Sequence, residues 1–314
     1  MKSVKLLITG AAGLVGQNLV AELARQGCAN IMALDNHKGN LDILQALHPE
    51  VACVQADLAL PGEWEGHFAG VERLFLLQAQ ITGASFAPFQ RNTLDSTRHV
   101  LAAAKKHAVP FTVLVGSSVV NSVADDNYTR SKKAQEDLVK ASGLSYCVAR
   151  PTLMFGWFDP KHLGWLSRFM ERVPVFPVPG SGLYPRQPLY ALDFCRVLIW
   201  CAERAPEGKI FDIVGEEEIT YIDIVRTIKK IKKLSTPVLC IPVPLFRRLL
   251  ELYAILVKNP PFVAEQLDAL MAGDRFTGEA LRATFGFSPT PFIKAMEETF
   301  THPIYSKVVL ERWV

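Results

Sequence analysis

The chain has 314 residues, 49% hydrophobic and 21% charged, enough to bury one large core or two modest ones. Its 34 Lys+Arg against 31 Asp+Glu leave a formal net charge of +3, too even a balance for a nucleic-acid binder, whose basic residues concentrate on one face. No stretch approaches the ~20 apolar residues of a membrane span, and the apolar part of the opening MKSVKLLITGAAG is too short for a signal peptide, so the expected compartment is the cytoplasm.

In chain order, VKLLIT (4–9) predicts a strand and 14–26 a helix, followed by NIMALD (30–35), VACVQ (51–55) and RLFLLQ (73–78). A helix over 89–106, the strand FTVLVG (111–116), a helix over 126–141 and the strand SYCVAR (145–150) complete the first half. Continuous apolar strands separated by helices are what a parallel sheet covered on both faces demands. The expected fold is therefore α/β, a Rossmann-type doubly wound parallel sheet. After Arg150-Pro151 the texture changes, with Pro and Gly crowding VPVFPVPGSGLYPRQP (173–188). Residues 1–150 are expected to form the dinucleotide-binding domain and 151–314 a smaller α/β substrate lobe. A strand at about 210–214 is expected to return to the main sheet.

Gly10, Gly13 and Gly16 follow the first strand directly and open a helix. Gly10 permits the tight turn, Gly13 lets backbone N–H groups approach a pyrophosphate, and Gly16 allows close helix–strand packing. Asp35 ends the second strand where a carboxylate bonds adenosine ribose hydroxyls and repels a 2′-phosphate, which favours NAD(H) over NADP(H). Asp57 ends the third strand and reaches either the adenine edge or only its own turn. Tyr128 and Lys132 share a helix face at YxxxK spacing, a pattern in which a cation lowers a phenol's pKa for proton transfer. Ser117 and Ser118 end strand 111–116, where a hydroxyl bonds a reacting oxygen.

The succession GAAGLVG, LDN (34–36), QADL, VGSS and YTRSK resembles the extended short-chain dehydrogenase/reductase family, its NAD-dependent epimerase/dehydratase group. The resemblance implies Tyr128 as catalytic acid/base, Lys132 on the nicotinamide ribose, and Ser118, ahead of Ser117, polarising the reacting oxygen. It adds Leu14, Val15, Asn36, Leu58, Gln78, Ala79, Asn92 and Pro151 to the NAD-binding set. Arg150-Pro151 to Gly156 resembles the family's RPxxxxG segment. The stretch from Gly180 to Asp193 is similar to GxGxxxRxxxYxxD, which implies Arg186 on a substrate diphosphate with Tyr190, Thr152 and Ser117 nearby. Phe155, Trp157, Phe158, His162 and Trp165 either wall a base or sugar or pack as core, with core favoured. The family's 4,6-dehydratases place an Asp-Glu pair after the serine; Val119 and Val120 stand here, which neither donate nor accept a proton, so dehydration is not expected.

The implied activity is NAD(H)-dependent reduction or 4-epimerisation of a nucleotide-linked sugar. The tail FVAEQLDALMAGDRF (262–276) with LRATFGFSP (281–289) resembles ketosugar-reductase-type relatives, which tilts the balance towards reduction. The alternative is a non-catalytic dinucleotide-binding structural or assembly protein, like the atypical relatives near the 39-kDa subunit of respiratory complex I. The resemblance also implies a homodimer paired through helices 89–106 and 126–141. Neither the histidines nor the six cysteines show a metal-ligand spacing, so no metal is expected, and the cysteines read as reduced core residues. The apolar stretch 245–258, broken by Arg247, Arg248 and Glu251, reads as a packed helix or, alternatively, as one lying on a membrane surface.

Overall fold

The computed structural model describes residues 1–123, 125–256, 267, 270, 271, 273 and 275–311. Most of segment 262–276, and residues 257–258 of the stretch 245–258, lie outside the described residues.

Six strands and five helices alternate through the first half. The strands are β1 (Leu6–Thr9), β2 (Ile31–Asp35), β3 (Ala52–Gln55), β4 (Arg73–Leu76), β5 (Phe111–Val115) and β6 (Tyr146–Pro151). Between them run α1 (Leu14–Arg25), α2 (Lys38–Leu47), α3 (Ala87–Phe89), α4 (Ser96–Lys106) and α5 (Asn127–Lys140). A π-helical turn, Gln90–Asp95, joins α3 to α4, so the helix expected over 89–106 starts with a wider coil.

The second half supplies β7 (Met154–Phe155), α6 (Leu163–Arg172), β8 (Phe176–Pro179), β9 (Pro185–Arg186), β10 (Leu189–Tyr190) and α7 (Ala191–Arg204). It continues with β11 (Ile210–Ile213), β12 (Ile219–Thr220), α8 (Tyr221–Ile231), β13 (Val238–Ile241) and α9 (Val243–Leu256). Short helices Leu281–Phe285 and Phe292–Thr301 follow. The main sheet has seven strands in the order β11-β6-β5-β4-β1-β2-β3. β11 pairs in parallel with β6, Ile210 opposite Val148. The remaining strands form three two-stranded pairs, β10-β7, β12-β9 and β13-β8.

Alternate side chains of one strand feed two cores, which is why the strands are apolar throughout. Leu6 and Ile8 pack with Leu19 and Leu23 of α1 and Phe194 and Leu198 of α7. Leu7 lies on the opposite face with Leu34, Val100, Leu101 and Val139. A third core holds the lobe together around Phe155, Met170, Phe176, Ile224, Ile228 and Met296. The outward faces of α4 and α5 are charged: Arg98, Lys105, Lys106, Arg130, Lys133, Asp137 and Lys140 are all exposed.

All six cysteines are free thiols. Cys28, Cys147, Cys195 and Cys201 are buried and Cys53 is half-buried, but Cys240 is exposed. The core assignment fails for Cys240 because β13 pairs on one side only, with β8, and its middle residues face solvent.

Candidate active site

The three glycines do three separable jobs. Gly10 has φ +72°, and a Cβ there would stand 2.5 Å from the Gln78 backbone nitrogen, so neither its conformation nor its surroundings admit a side chain. A Cβ on Gly16 would stand 2.3 Å from the Ala11 carbonyl oxygen; α1 packs that closely on the turn. A Cβ on Gly13 would meet only the Gly10 oxygen, at 3.5 Å. Gly13 is also the N-cap of α1 and offers no side-chain acceptor. The first-turn N–H groups of α1 therefore face open space at the positive end of a helix dipole. That is an anion cradle, and a side chain on Gly13 would stand in it.

Asp35 braces the same turn. Its Oδ2 accepts from the Ala12 N–H at 2.9 Å and its Oδ1 from the His37 N–H at 3.0 Å. Burial raises its pKa, and the backbone N–H groups of His37 and Ala12 oppose that shift. Each oxygen retains a lone pair for a further donor. Neighbouring Asn36 is half-buried. Asp57 serves its own turn, accepting from the Ala59 N–H at 3.1 Å, and it pairs with the Arg91 guanidinium. Arg91 was not singled out by the sequence reading; it also donates to Asn92 Oδ1 at 2.9 Å. Asn92 in turn donates to Gln80 Oε1 at 2.8 Å. Leu58 is buried, and Ala79 lies half-buried beyond β4.

Gln78 is the hinge between the glycine turn and the catalytic helix. Its Oε1 accepts from the Thr9 hydroxyl and its backbone carbonyl accepts from Gln135 Nε2 at 3.1 Å. Its own Nε2 is buried without a partner. An unpartnered amide beside an open anion cradle fits a dinucleotide, whose phosphates and ribose supply the missing acceptors.

α5 starts at a strong cap: Asp126 accepts from both the N–H and the hydroxyl of Thr129, each at 2.9 Å. The cap places Tyr128 in the first turn and Lys132 one turn later. Burial raises the Tyr128 phenol pKa, and a hydrogen bond with the Ser117 side chain opposes the rise. The resemblance favours Ser118; the two serines differ in backbone. Ser117 is the extended N-cap residue, buried, and Ser118 already belongs to the 3-10 turn Ser118–Asn121. Val119 and Val120 occupy the same turn, half-buried.

Lys132 is 2% exposed. The YxxxK spacing lets its ammonium lie near the phenol; Nζ donates to the Val115 carbonyl at 2.8 Å and to Gln135 Oε1. A buried ammonium needs acceptors wherever the chain offers them, and strand β5 ends within its reach. Burial brings its pKa down to about 8, opposed by the charge of Glu136. Glu136, 1% exposed, is gripped by Arg150, Nε to Oε1 at 2.9 Å and Nη2 to Oε2 at 2.6 Å. This pair was not singled out in the sequence, although Arg150 opens the RPxxxxG segment.

On the lobe side, Pro151 and Thr152 are buried at the end of β6, and the Thr152 hydroxyl lacks a partner. Arg186 donates to the Leu270 carbonyl and lies 6.0 Å over the Tyr184 ring. Tyr190 is a core residue, its ring 5.5 Å from that of Phe155 and its hydroxyl without a partner. Asp193 is buried and holds Thr290 through its N–H and hydroxyl, at 2.7 and 2.8 Å. Phe155, Trp157 and Phe158 are buried in the lobe core, Trp165 stacks on Phe169 at 5.1 Å, and His162 is exposed. Core packing, not a sugar wall, accounts for the aromatics. Among the described residues no cluster of His, Cys, Asp or Glu is arranged to hold a metal.

Residues 6–214 match the family described as "NAD dependent epimerase/dehydratase family". The chain is 31% identical over 176 residues to the ceramide reductase of Caulobacter vibrioides, covering 54% of this chain and 52% of that protein; the match thus spans about half of that relative. It is 27% identical over 256 residues to the dTDP-glucose 4,6-dehydratase of Streptomyces griseus, covering 70% and 76%. In fold it is similar to the Bordetella bronchiseptica enzyme WbmF in complex with NAD+, with TM-score 0.74, 17% identity and coverage of 94% and 91%.

Proposed function

The chain belongs to the NAD dependent epimerase/dehydratase family, and we propose that it is an NAD(H)-dependent oxidoreductase interconverting an alcohol and a ketone on a nucleotide-linked sugar. The observation that carries this reading is the open N-terminus of α1 above Gly13 beside the unpartnered Gln78 amide, with Ser117 at the end of β5 and Tyr128 in the first turn of α5.

The open N-terminus of α1 above Gly13, with Leu14, Val15, Gln78 and the Asp35 carboxylate, would hold the dinucleotide. When bound, NAD(H) supplies or accepts the hydride. Tyr128 moves the proton at the substrate oxygen, and Ser117 holds that oxygen and the phenol in one line. Lys132, one helical turn beyond Tyr128 and held on the Val115 carbonyl, would position the nicotinamide ribose. Val119 and Val120 leave no acid–base pair to eliminate water, so reduction of a 4-keto sugar and 4-epimerisation are the two outcomes this set serves; 4,6-dehydration is not among them. Similarity to the dTDP-glucose enzyme supports a nucleotide-linked substrate.

NADH is mixed with the protein and a panel of nucleotide 4-ketosugars, and absorbance at the nicotinamide band is followed. Oxidation that disappears with Tyr128→Phe supports the proposal. NADH binding that survives Tyr128→Phe, with no oxidation of any compound, would sink it and leave a dinucleotide-binding structural protein. Turnover without added NADH, on protein that retains its cofactor, marks the epimerase.

A second reading keeps the chemistry and changes the substrate to a ketone on a lipophilic molecule. Arg186 favours it: the guanidinium meant for a diphosphate is engaged by the Leu270 carbonyl and the Tyr184 ring. The similarity to ceramide reductase supports it too. A long-chain ketone included in the same panel separates the two.

A further inference from the structure

α9 is an amphipathic helix mounted with its leucines outward. Leu245, Leu249 and Leu252 are 52%, 46% and 58% exposed, and their i, i+4, i+7 spacing puts them on one stripe. Tyr253 adjoins the stripe and is exposed as well. Among the helix side chains described, only Phe246 is buried. An ordinary surface helix turns such a stripe into the core; here, among the described side chains, Phe246 is buried and Val243, Arg247 and Leu250 are half-buried, while the stripe faces outside.

The surroundings extend the patch. β13 leads into α9 and exposes Leu239, and the neighbouring turn exposes Leu183. That turn touches the start of α9: a Cβ on Gly180 would lie 3.2 Å from Val243 Cγ2, and Cys240 Sγ bonds the Ser181 carbonyl. The same turn leads into Arg186. Apolar exposure therefore runs from α9 to the approach of the substrate lobe.

Charge narrows the choice of occupant. From 223 to 251 the chain carries seven Arg and Lys against two acids, Asp223 and Glu251; Arg226 pairs with Asp223 and Lys232 with Glu171, and Lys230, Lys233 and Arg248 are exposed. Arg248 is exposed beside the leucine stripe. Shape narrows it further. A helix of this length is about 21 Å long and about 10 Å across, so the stripe offers on the order of 200 Å², well short of the roughly 800 Å² per partner of a stable protein interface. A narrow convex ridge of leucines, flanked by cations and a tyrosine, fits a fluid anionic surface, into which such helices sink lengthwise. No described helix is long and apolar enough to span a membrane.

We propose that α9 docks this protein on the surface of an anionic lipid bilayer, lying in the plane of the interface. The proposal goes beyond the oxidoreductase reading and does not rest on it, because its test reads binding and not turnover.

Full-length protein is floated on density gradients with vesicles of phosphatidylcholine alone or with phosphatidylglycerol added. The wild type is expected to float with the anionic vesicles about ten-fold more than with the neutral ones, and high salt is expected to release it. Leu249→Glu is expected to stay in the dense fraction, and Arg248→Glu to lose about ten-fold in partition. Both side chains are exposed, so thermal melting and NADH binding should match the wild type. Failure of the wild type to float with either vesicle overturns the proposal, as does Leu249→Glu floating like the wild type. Self-association that Leu249→Glu abolishes, without vesicle binding, overturns it in favour of a second copy of the chain.

Discussion

Arg150 and Glu136 form a two-pronged ion pair, at 2.9 and 2.6 Å, between strand β6 and helix α5. Glu136 lies one helical turn beyond Lys132, and the pair fixes α5 against β6. Breaking it by Arg150→Ala removes the nearest cation from the buried Glu136 carboxylate and leaves the Lys140 ammonium at 3.7 Å, which should cost about 3 kcal/mol. Replacing both partners, Arg150→Met with Glu136→Gln, should cost clearly less. Thermal or urea unfolding of the two variants measures the difference.

The glycines separate folding from binding. Gly16→Ala drives a methyl into the Ala11 backbone, where the gap is 2.3 Å, and should destabilise by about 3 kcal/mol. Gly13→Ala meets nothing nearer than 3.5 Å, so stability should stay within about 1 kcal/mol of wild type. NADH affinity should nevertheless fall steeply for Gly13→Ala, because the methyl stands where backbone N–H groups must meet phosphate. Melting curves and NADH fluorescence titration on the same samples give both readings.

Tyr128→Phe should lower kcat by roughly 10²–10⁴-fold with NADH affinity preserved. Ser117→Ala should cost more activity than Ser118→Ala, since Ser117 holds the phenol. Ser117 also opposes the rise in the Tyr128 pKa, so its loss should move the alkaline limb of the rate profile to higher pH. Equal effects of the two serine variants would contradict this assignment.

Lys132 makes stability depend on pH. Its pKa is brought down from 10.5 to about 8 in the folded chain, so between those values the unfolded chain binds more protons and stability rises with pH. Below about pH 8 the buried charge carries its full penalty, on the order of 3 kcal/mol. Cys53, pushed up to about 11, acts in the opposite direction over the upper part of this range. The prediction is therefore a difference: urea midpoints of wild type minus Lys132→Met should climb from pH 8 to pH 10.5.

The outline of the fold was legible because parallel strands buried on both faces must be apolar throughout, and VKLLIT, RLFLLQ and FTVLVG are. The glycine turn and Asp35 were legible for a related reason: steric and charge demands at a strand end act on neighbouring residues, so they leave a local signature. Spacing alone placed Tyr128 and Lys132 on one helix face. What lay beyond spacing was which way each side chain turns. Ser117 is extended and buried, whereas its neighbour Ser118 is already in a turn. Lys132 turns to the Val115 carbonyl, an acceptor seventeen residues away in the chain. Arg150 finds Glu136, and Asp57 finds Arg91, across elements distant in sequence. The aromatics after β6 and the leucines of α9 read alike as apolar stretches; packing put the first inside the lobe and the second outside it. Local sterics and hydropathy are written residue by residue, whereas partners for buried charges and the exposure of an amphipathic face exist only once separate elements meet.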